Sequence, residues 1–220
     1  LFLIGFILRW LFGDINPLWL IIVSGIMLLA AGREVISRQQ RPFTGSFGYL
    51  SSTLSMFLSS FVLTIGALTV IIQPELWYSP QYSIPLLGML LGNTMNGIAI
   101  SMDRLTSSTW QQQQVIEQRL MLGETSTEAL YDIKKEAMRA GMIPSINGMA
   151  SAGIVALPGM MTGQILAGSP PIDAVKYQIL ILFLITAGSG FGVYASLHMG
   201  SKRLFDSRHR LRLERISAKP

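Results

Sequence analysis

Long apolar runs recur along the chain, and its lysines and arginines collect in every second connection between them. A membrane-crossing helix needs about 20 mostly apolar residues. Such runs span 17–35, 47–72, 83–102, 142–167 and 173–199, with a shorter one at 1–12. This pattern predicts an all-α, polytopic transmembrane helical bundle: five full spans, one partial N-terminal span, and a single transmembrane domain over 1–220. Composition excludes the soluble alternative. Only 13% of the 220 residues are charged and 50% are hydrophobic, with a mean hydropathy of +0.46. A soluble domain carries about 25% charged residues, and a core of this size could not bury so much apolar surface. There is no cysteine, so disulfide frameworks and thiolate metal sites are excluded. The chain opens on Leu1 with an apolar run, so it is expected to start within a membrane helix rather than at a processed polar end.

The basic residues fix an expected orientation. Arg33, Arg38 and Arg41 lie in the first basic connection. Arg104, Arg119, Lys134, Lys135 and Arg139 lie in the segment 103–141. Lys202, Arg203, Arg208, Arg210, Arg212, Arg215 and Lys219 lie in the tail 200–220. Of the 17 basic residues, only Arg9 and Lys176 fall elsewhere. Basic residues mark cytoplasmic connections. All three connections, and the C-terminus, are therefore expected on the cytoplasmic side of the cell (inner or plasma) membrane. The basic tail is read as orienting the last helix, with no nucleic-acid partner.

The segment 103–141 is too long for a turn and too short for a domain. Residues 110–122 read as a helix. Gly123 follows where a helix end favours a left-handed residue. Thr125 and Glu128 have capping-box spacing for a second helix, whose Ala129, Leu130, Ile133, Ala137 and Met138 share a face. Glu117, Gly123 and Ile133 stand at the spacing of the loop that importer-type ABC permeases present to their ATPases. Gln118 and Arg119 replace the usual alanines, and the expected Leu-Pro is missing. A rigid helical hairpin can transmit nucleotide-driven closure as a push. A solvated amphipathic connector fits the spacing equally well.

Two further readings concern chemistry within the membrane. The run 142–167 holds Asn147, Pro158, Gly159, Met160, Met161, Thr162, Gly163 and Gln164. Pro158 is expected to kink or break the helix, and irregular backbone at membrane depth must face protein or a water-filled cavity. With Asn93 and Asn96 of the preceding run, these residues are the candidate translocation path. A proline-kinked packing helix is the other reading. Gly88/Gly92, Gly159/Gly163 and Gly188/Gly192 are small-xxx-small pairs that predict close helix contacts. Asp14, Glu75, Asp103 and Asp173 sit at the ends of runs, so no mid-membrane carboxylate suggests ion coupling. No Walker-A loop occurs, and His198 and His209 are too few for a catalytic zinc site. No catalytic residues and no metal ligands are assigned. The 12 methionines read as packing material rather than copper ligands.

Several stretches carry a specific resemblance: Gly92-Asn93-Thr94-Met95, Leu120-Met121-Leu122-Gly123, Leu157-Pro158-Gly159-Met160-Met161-Thr162-Gly163-Gln164-Ile165-Leu166-Ala167-Gly168, Asp173-Ala174-Val175-Lys176-Tyr177-Gln178-Ile179 and Arg208-His209-Arg210-Leu211. They resemble the Fet-type permease family of ABC transporters, which includes a bacterial iron-export permease and plant proteins linked to aluminium tolerance. The resemblance implies a separate cytosolic ATPase holding ATP and Mg, with no cofactor on this chain, and two copies of each subunit. It implies that Glu117, Leu120, Gly123, Glu128 and Ile133 form an ATPase-coupling hairpin. Glu124 and the 125–127 stretch depart from the family's usual residues after that glycine. The function implied is export of iron or another metal ion, with a nucleotide-sugar or other small solute as the alternative substrate. A non-transporting assembly or receptor subunit is the reading from another class.

Overall fold

The computed structural model describes residues 17–217 apart from 75, 77, 156 and 207. The apolar run at 1–12 and the last three residues of the tail lie outside the described residues. The chain forms α1 (Pro17–Ser37), α2 (Phe47–Ile72), α3 (Pro80–Gln111), α4 (Gln113–Met121), α5 (Ser126–Ala129), α6 (Tyr131–Ser151), α7 (Gly159–Leu166) and α8 (Pro171–Arg203). No strand occurs among the described residues, only isolated bridges at Phe43–Ile216 and Phe205–Leu211. Four of these helices, α1, α2, α3 and α8, are long and apolar enough to cross a membrane. α2 carries two π-helical stretches, Phe57–Phe61 and Ala67–Ile72.

The fourth of the full runs, 142–167, is not one helix. α6 starts well upstream at Tyr131, passes through Pro144 and stops at Ser151. Gly153 then takes a left-handed φ of +80°, and α7 restarts behind Pro158. Pro158 has no amide hydrogen to lose at a helix start, so it initiates α7 rather than kinking a longer helix. The helix expected over 110–122 is also redivided: Trp110 belongs to α3, which runs on to Gln111, and only Gln113–Met121 form α4.

α3 is the centre of the bundle, packed against α1, α6 and α8. It meets α6 backbone to backbone. A Cβ on Gly141 would stand 2.7 Å from the Gly97 carbonyl oxygen and 2.8 Å from Ser101 Cβ. Val193 of α8 closes the third side, 3.1 Å from a Cβ on Gly97 and 3.3 Å from one on Gly141. Small residues permit such approach where lipid gives helices no hydrophobic reason to associate. Among the expected pairs, Gly188 and Gly192 are approached closely. A Cβ on Gly192 would collide with the Thr94 methyl and lie 3.0 Å from Ser59 Oγ. Gly88 touches only Met27, and Gly92, Gly159 and Gly163 have nothing within 4 Å. Ser145 and Ser189 hydroxyls bond across α6 and α8 at 3.1 Å, in a buried site. Outward-facing apolar side chains such as Ile21, Ile26, Phe183 and Phe191 need no protein partner when the solvent is lipid.

The basic tail is folded, not loose. Thr44 N–H donates to the Arg215 carbonyl at 2.8 Å, and Ser217 N–H to the Pro42 carbonyl at 2.9 Å. Phe205 and Ile216 are buried in the main core with Phe43. Asp206 holds the turn: Oδ1 accepts the Arg208 and Arg210 amides, both at 2.9 Å, and Oδ2 accepts Arg210 Nε at 2.8 Å and pairs with Arg212. The Arg210 amide foremost, with the Arg208 amide and the Arg210 guanidinium, holds its carboxyl well below the ordinary carboxylate range despite desolvation.

Two outcomes follow from this packing. Gly141→Val should lower the thermal stability of the detergent-solubilised protein by about 1–3 kcal/mol, because overpacking falls on backbone. Gly163→Ala, with open space around it, should leave the melting curve unchanged. For Asp206, a depressed folded pKa means stability present above the ordinary value and lost as pH falls below it. Asp206→Ala should therefore speed tryptic cleavage after Arg208 and Arg210 several-fold at neutral pH.

Candidate functional site

The segment between α3 and α6 leaves from the end of α3 and returns at the start of α6, the two helices that cross at Gly97 and Gly141. Its local geometry is dictated by its own residues. α4 ends in a left-handed Gly123, φ +95°, whose amide bonds to the Leu120 carbonyl at 3.1 Å while Glu124 N–H reaches the Arg119 carbonyl at 3.1 Å. Thr125 then forms a complete capping box with Glu128: its hydroxyl oxygen accepts the Glu128 amide, and Glu128 accepts the Thr125 amide at 2.8 Å. The Thr125 amide and hydroxyl lower the Glu128 pKa. Helix α5 breaks at Leu130 and α6 starts at Tyr131. Arg119 ties the two arms, reaching Asp132 at 3.0 Å and Glu124 at 4.0 Å.

Of the expected coupling residues, Leu120 and Ile133 face inward against the main core, beside the buried Ile116, Ala129 and Leu130. Glu117 is exposed and accepts a hydrogen bond from Gln113 Nε2 at 2.8 Å. Gly123 and Glu128 shape the turn. Three apolar residues that project outward were not among the expected coupling residues. Met121 and Leu122 are 78% and 85% exposed, and Tyr131 is 60% exposed. Leu122 and Tyr131 line a cleft of about 560 Å³ together with Arg119, Gly123, Glu124, Thr127 and Asp132 among others. The available signal was apolar side chains immediately before a helix-ending glycine in an otherwise polar segment.

The expected path residues fall in separate places. Pro158 and Met161 line an apolar cavity of about 510 Å³ with Met149, Gln178, Leu182 and Phe183, between the 152–158 turn and α8. Gln178 is buried there and its Oε1 has no partner among the described residues. Met160 packs on the smaller core, and Thr162 donates to the Pro158 carbonyl at 3.0 Å. Gln164 Oε1 is buried and unpartnered among the described residues, while Gly159 and Asn147 are exposed. Asn93 and Asn96 do not join this cavity. Asn93 Nδ2 donates to its own helix at the Met89 carbonyl, 2.8 Å away. Asn96 Oδ1 accepts Arg38 Nη1 at 2.6 Å, beside Asp103, whose Oδ1 accepts the Gln40 amide at 2.7 Å. These line a second, polar cleft of about 410 Å³ between α1, α3 and α6. Among the described residues, no cluster of three or more His, Cys, Asp or Glu could hold a metal ion.

Long apolar helices packed through small residues, with polar segments gathered at helix ends, define a helical integral membrane protein. The chain belongs to the family described as "Uncharacterised protein family (UPF0014)", whose model matches residues 1–205. It is similar to the UPF0014 membrane protein slr1647 of Synechocystis, 44% identical over 84% of this chain and 71% of the relative. It is also similar to the probable iron export permease protein FetB of Escherichia coli, 29% identical over 100% of this chain and 82% of that protein. Protein ALUMINUM SENSITIVE 3 of Arabidopsis thaliana is 26% identical over 98% of this chain and 77% of its own length. No solved structure matches the chain.

The capping box gives a direct expectation. Thr125→Val keeps the size and removes both hydroxyl interactions, so amide hydrogen exchange at 126–130 should accelerate at neutral pH while exchange in α3 and α8 stays unchanged.

Proposed function

We propose that this chain is the membrane-spanning permease subunit of an ATP-driven pump, exporting iron or another metal ion and powered by a separate cytosolic ATPase that holds the ATP and Mg. The observation that carries the reading is the segment from α4 to the start of α6. It is braced by Arg119, capped by Thr125 and Glu128, and seated on the core through Ile116, Leu120 and Ile133. A segment so braced moves as a unit, and its exposed Met121, Leu122 and Tyr131 give a partner an apolar tip to grip. Similarity to the probable iron export permease of Escherichia coli favours that cargo.

In this reading the basic end of the bundle faces the cytoplasm, with the folded C-terminal tail. Two copies of the chain form the pump with two ATPases. The unit α6–turn–α7 enters the membrane and, beside α1, α2, α3 and α8, makes the fifth spanning layer. Closure of the ATPases drives the two α4–α6 segments together. That push enters the bundle through α6, whose Gly141 bears directly on α3, and the 152–158 break absorbs the change at the far end. Asn147, Gln164 and the 158–162 stretch supply neutral oxygen and thioether groups along the path, while Asn93 and Asn96, engaged elsewhere, do not join it. Such a path offers a cation weak, reversible contacts suited to passage.

Co-purification tests the reading. The double variant Met121→Asp, Leu122→Asp should lose at least about tenfold of the ATPase retained by the wild type. Its melting curve should match the wild type's, since both side chains project from the fold. Full retention of the ATPase by this variant contradicts the docking role. For the cargo, cells lacking the gene should hold more iron than wild type under iron excess; equal content contradicts iron export.

A further inference from the structure

A second pocket opens at the same basic end of the bundle, where the folded tail meets α5, α6 and α8. It has a volume of about 280 Å³ and is lined by Ser126, Thr127, Lys134, His198, Ser201, Lys202 and their neighbours. Its floor is apolar, made by the buried Leu130 and Phe205. We propose that this pocket binds a phosphate ester, with Lys134 and Lys202 as the charged contacts.

The argument rests on charge that is gathered and left unanswered. Lys134 comes from the first turns of α6 and Lys202 from the last turn of α8. Neither makes an ion pair among the described residues; Lys134 only approaches the Tyr194 ring, 5.7 Å from its centroid. The one carboxylate in the lining, Asp206, is already taken by two backbone amides and by Arg210 and Arg212. Two ammonium groups facing one small space repel each other unless an anion lies between them. Every other polar group of the lining suits an anion that carries several oxygens. Thr127 adds a hydroxyl. The Tyr194 ring stacks on His198, holding that imidazole beside the pocket. Ser126 and His209 bond to each other at 2.9 Å and fix the opposite wall. The volume takes a phosphate group with a few waters, since a water occupies about 30 Å³. The apolar floor accepts the carbon side of an ester. A free phosphate compound and a phospholipid headgroup share this chemistry.

The test uses the whole chain in lipid nanodiscs. One arm titrates inorganic phosphate into discs of phosphatidylcholine alone. The other compares those discs with discs doped with phosphatidylglycerol. Thermal stabilisation in the first arm identifies a soluble phosphate compound, and in the second a headgroup; either supports the site. Lys134→Gln with Lys202→Gln should weaken the effect about tenfold. Lys134→Arg with Lys202→Arg should keep it, which separates lost charge from misfolding. Lys135→Gln with Arg139→Gln removes the same charge outside the pocket and should change nothing. Absence of stabilisation in both arms, or an equal loss in the control pair, overturns the proposal.

Discussion

The contact between Gly97 and Gly141 governs the rest of the structure. There α3 and α6 meet without side chains between them, and Val193 of α8 packs on the same point. In lipid, apolar surface gains nothing from leaving its surroundings, so helices hold together through close van der Waals fit and buried polar bonds. This crossing supplies the fit and the Ser145–Ser189 hydrogen bond next to it supplies the polar tie. The polar segment from α4 to α6 departs from one partner of the crossing and returns on the other. Its position relative to the membrane helices is therefore set by backbone contact, with little freedom to drift.

A second level of order lies at the basic end. The tail after α8 pairs with the 42–44 stretch, fills the core with Phe205 and Ile216, and is locked by Asp206. The same tail meets the α5 start through His209 and Ser126. Three polar connections that are far apart in sequence thus form one folded cap. In the proposed pump this cap is what an ATPase would meet, and its rigidity is what would carry a push into α3 and α8. The unpaired lysines of the phosphate pocket sit in the same cap.

Much of this was legible where a feature depends on near neighbours. Gly123 and the Thr125–Glu128 box were readable because a helix end and its cap are decided within a few residues. The apolar spans were readable by length, and four of them stand as membrane-length helices among the described residues. What was not legible depends on partners distant in sequence. Gly97 has Ser101 four residues on, and Gly141 stands between Ala137 and Ser145, but such spacing does not say which helix meets which, and only the fold sets the two glycines face to face. Asn96 reads as a path residue until Arg38 is seen to claim its oxygen. Residues 142–167 read as one run kinked or broken at Pro158; the break falls earlier, because hydropathy does not register the left-handed Gly153, which follows the helix end before Pro158 is reached. The tail reads only as a basic stretch orienting the last helix, because the partners of its few apolar residues, such as Phe43 for Ile216, lie far away in sequence.

In the proposed pump, the end of the bundle bearing the α4–α6 segment and the folded tail faces the cytoplasm, where a nucleotide-driven partner can reach it. The chain has no cysteine, so single cysteines placed at Leu122 and Ser169 report sidedness without background. A membrane-impermeant maleimide should label Ser169→Cys in intact cells and Leu122→Cys only after the membrane is opened. Labelling of Leu122→Cys from outside intact cells contradicts the orientation and, with it, the proposed source of power.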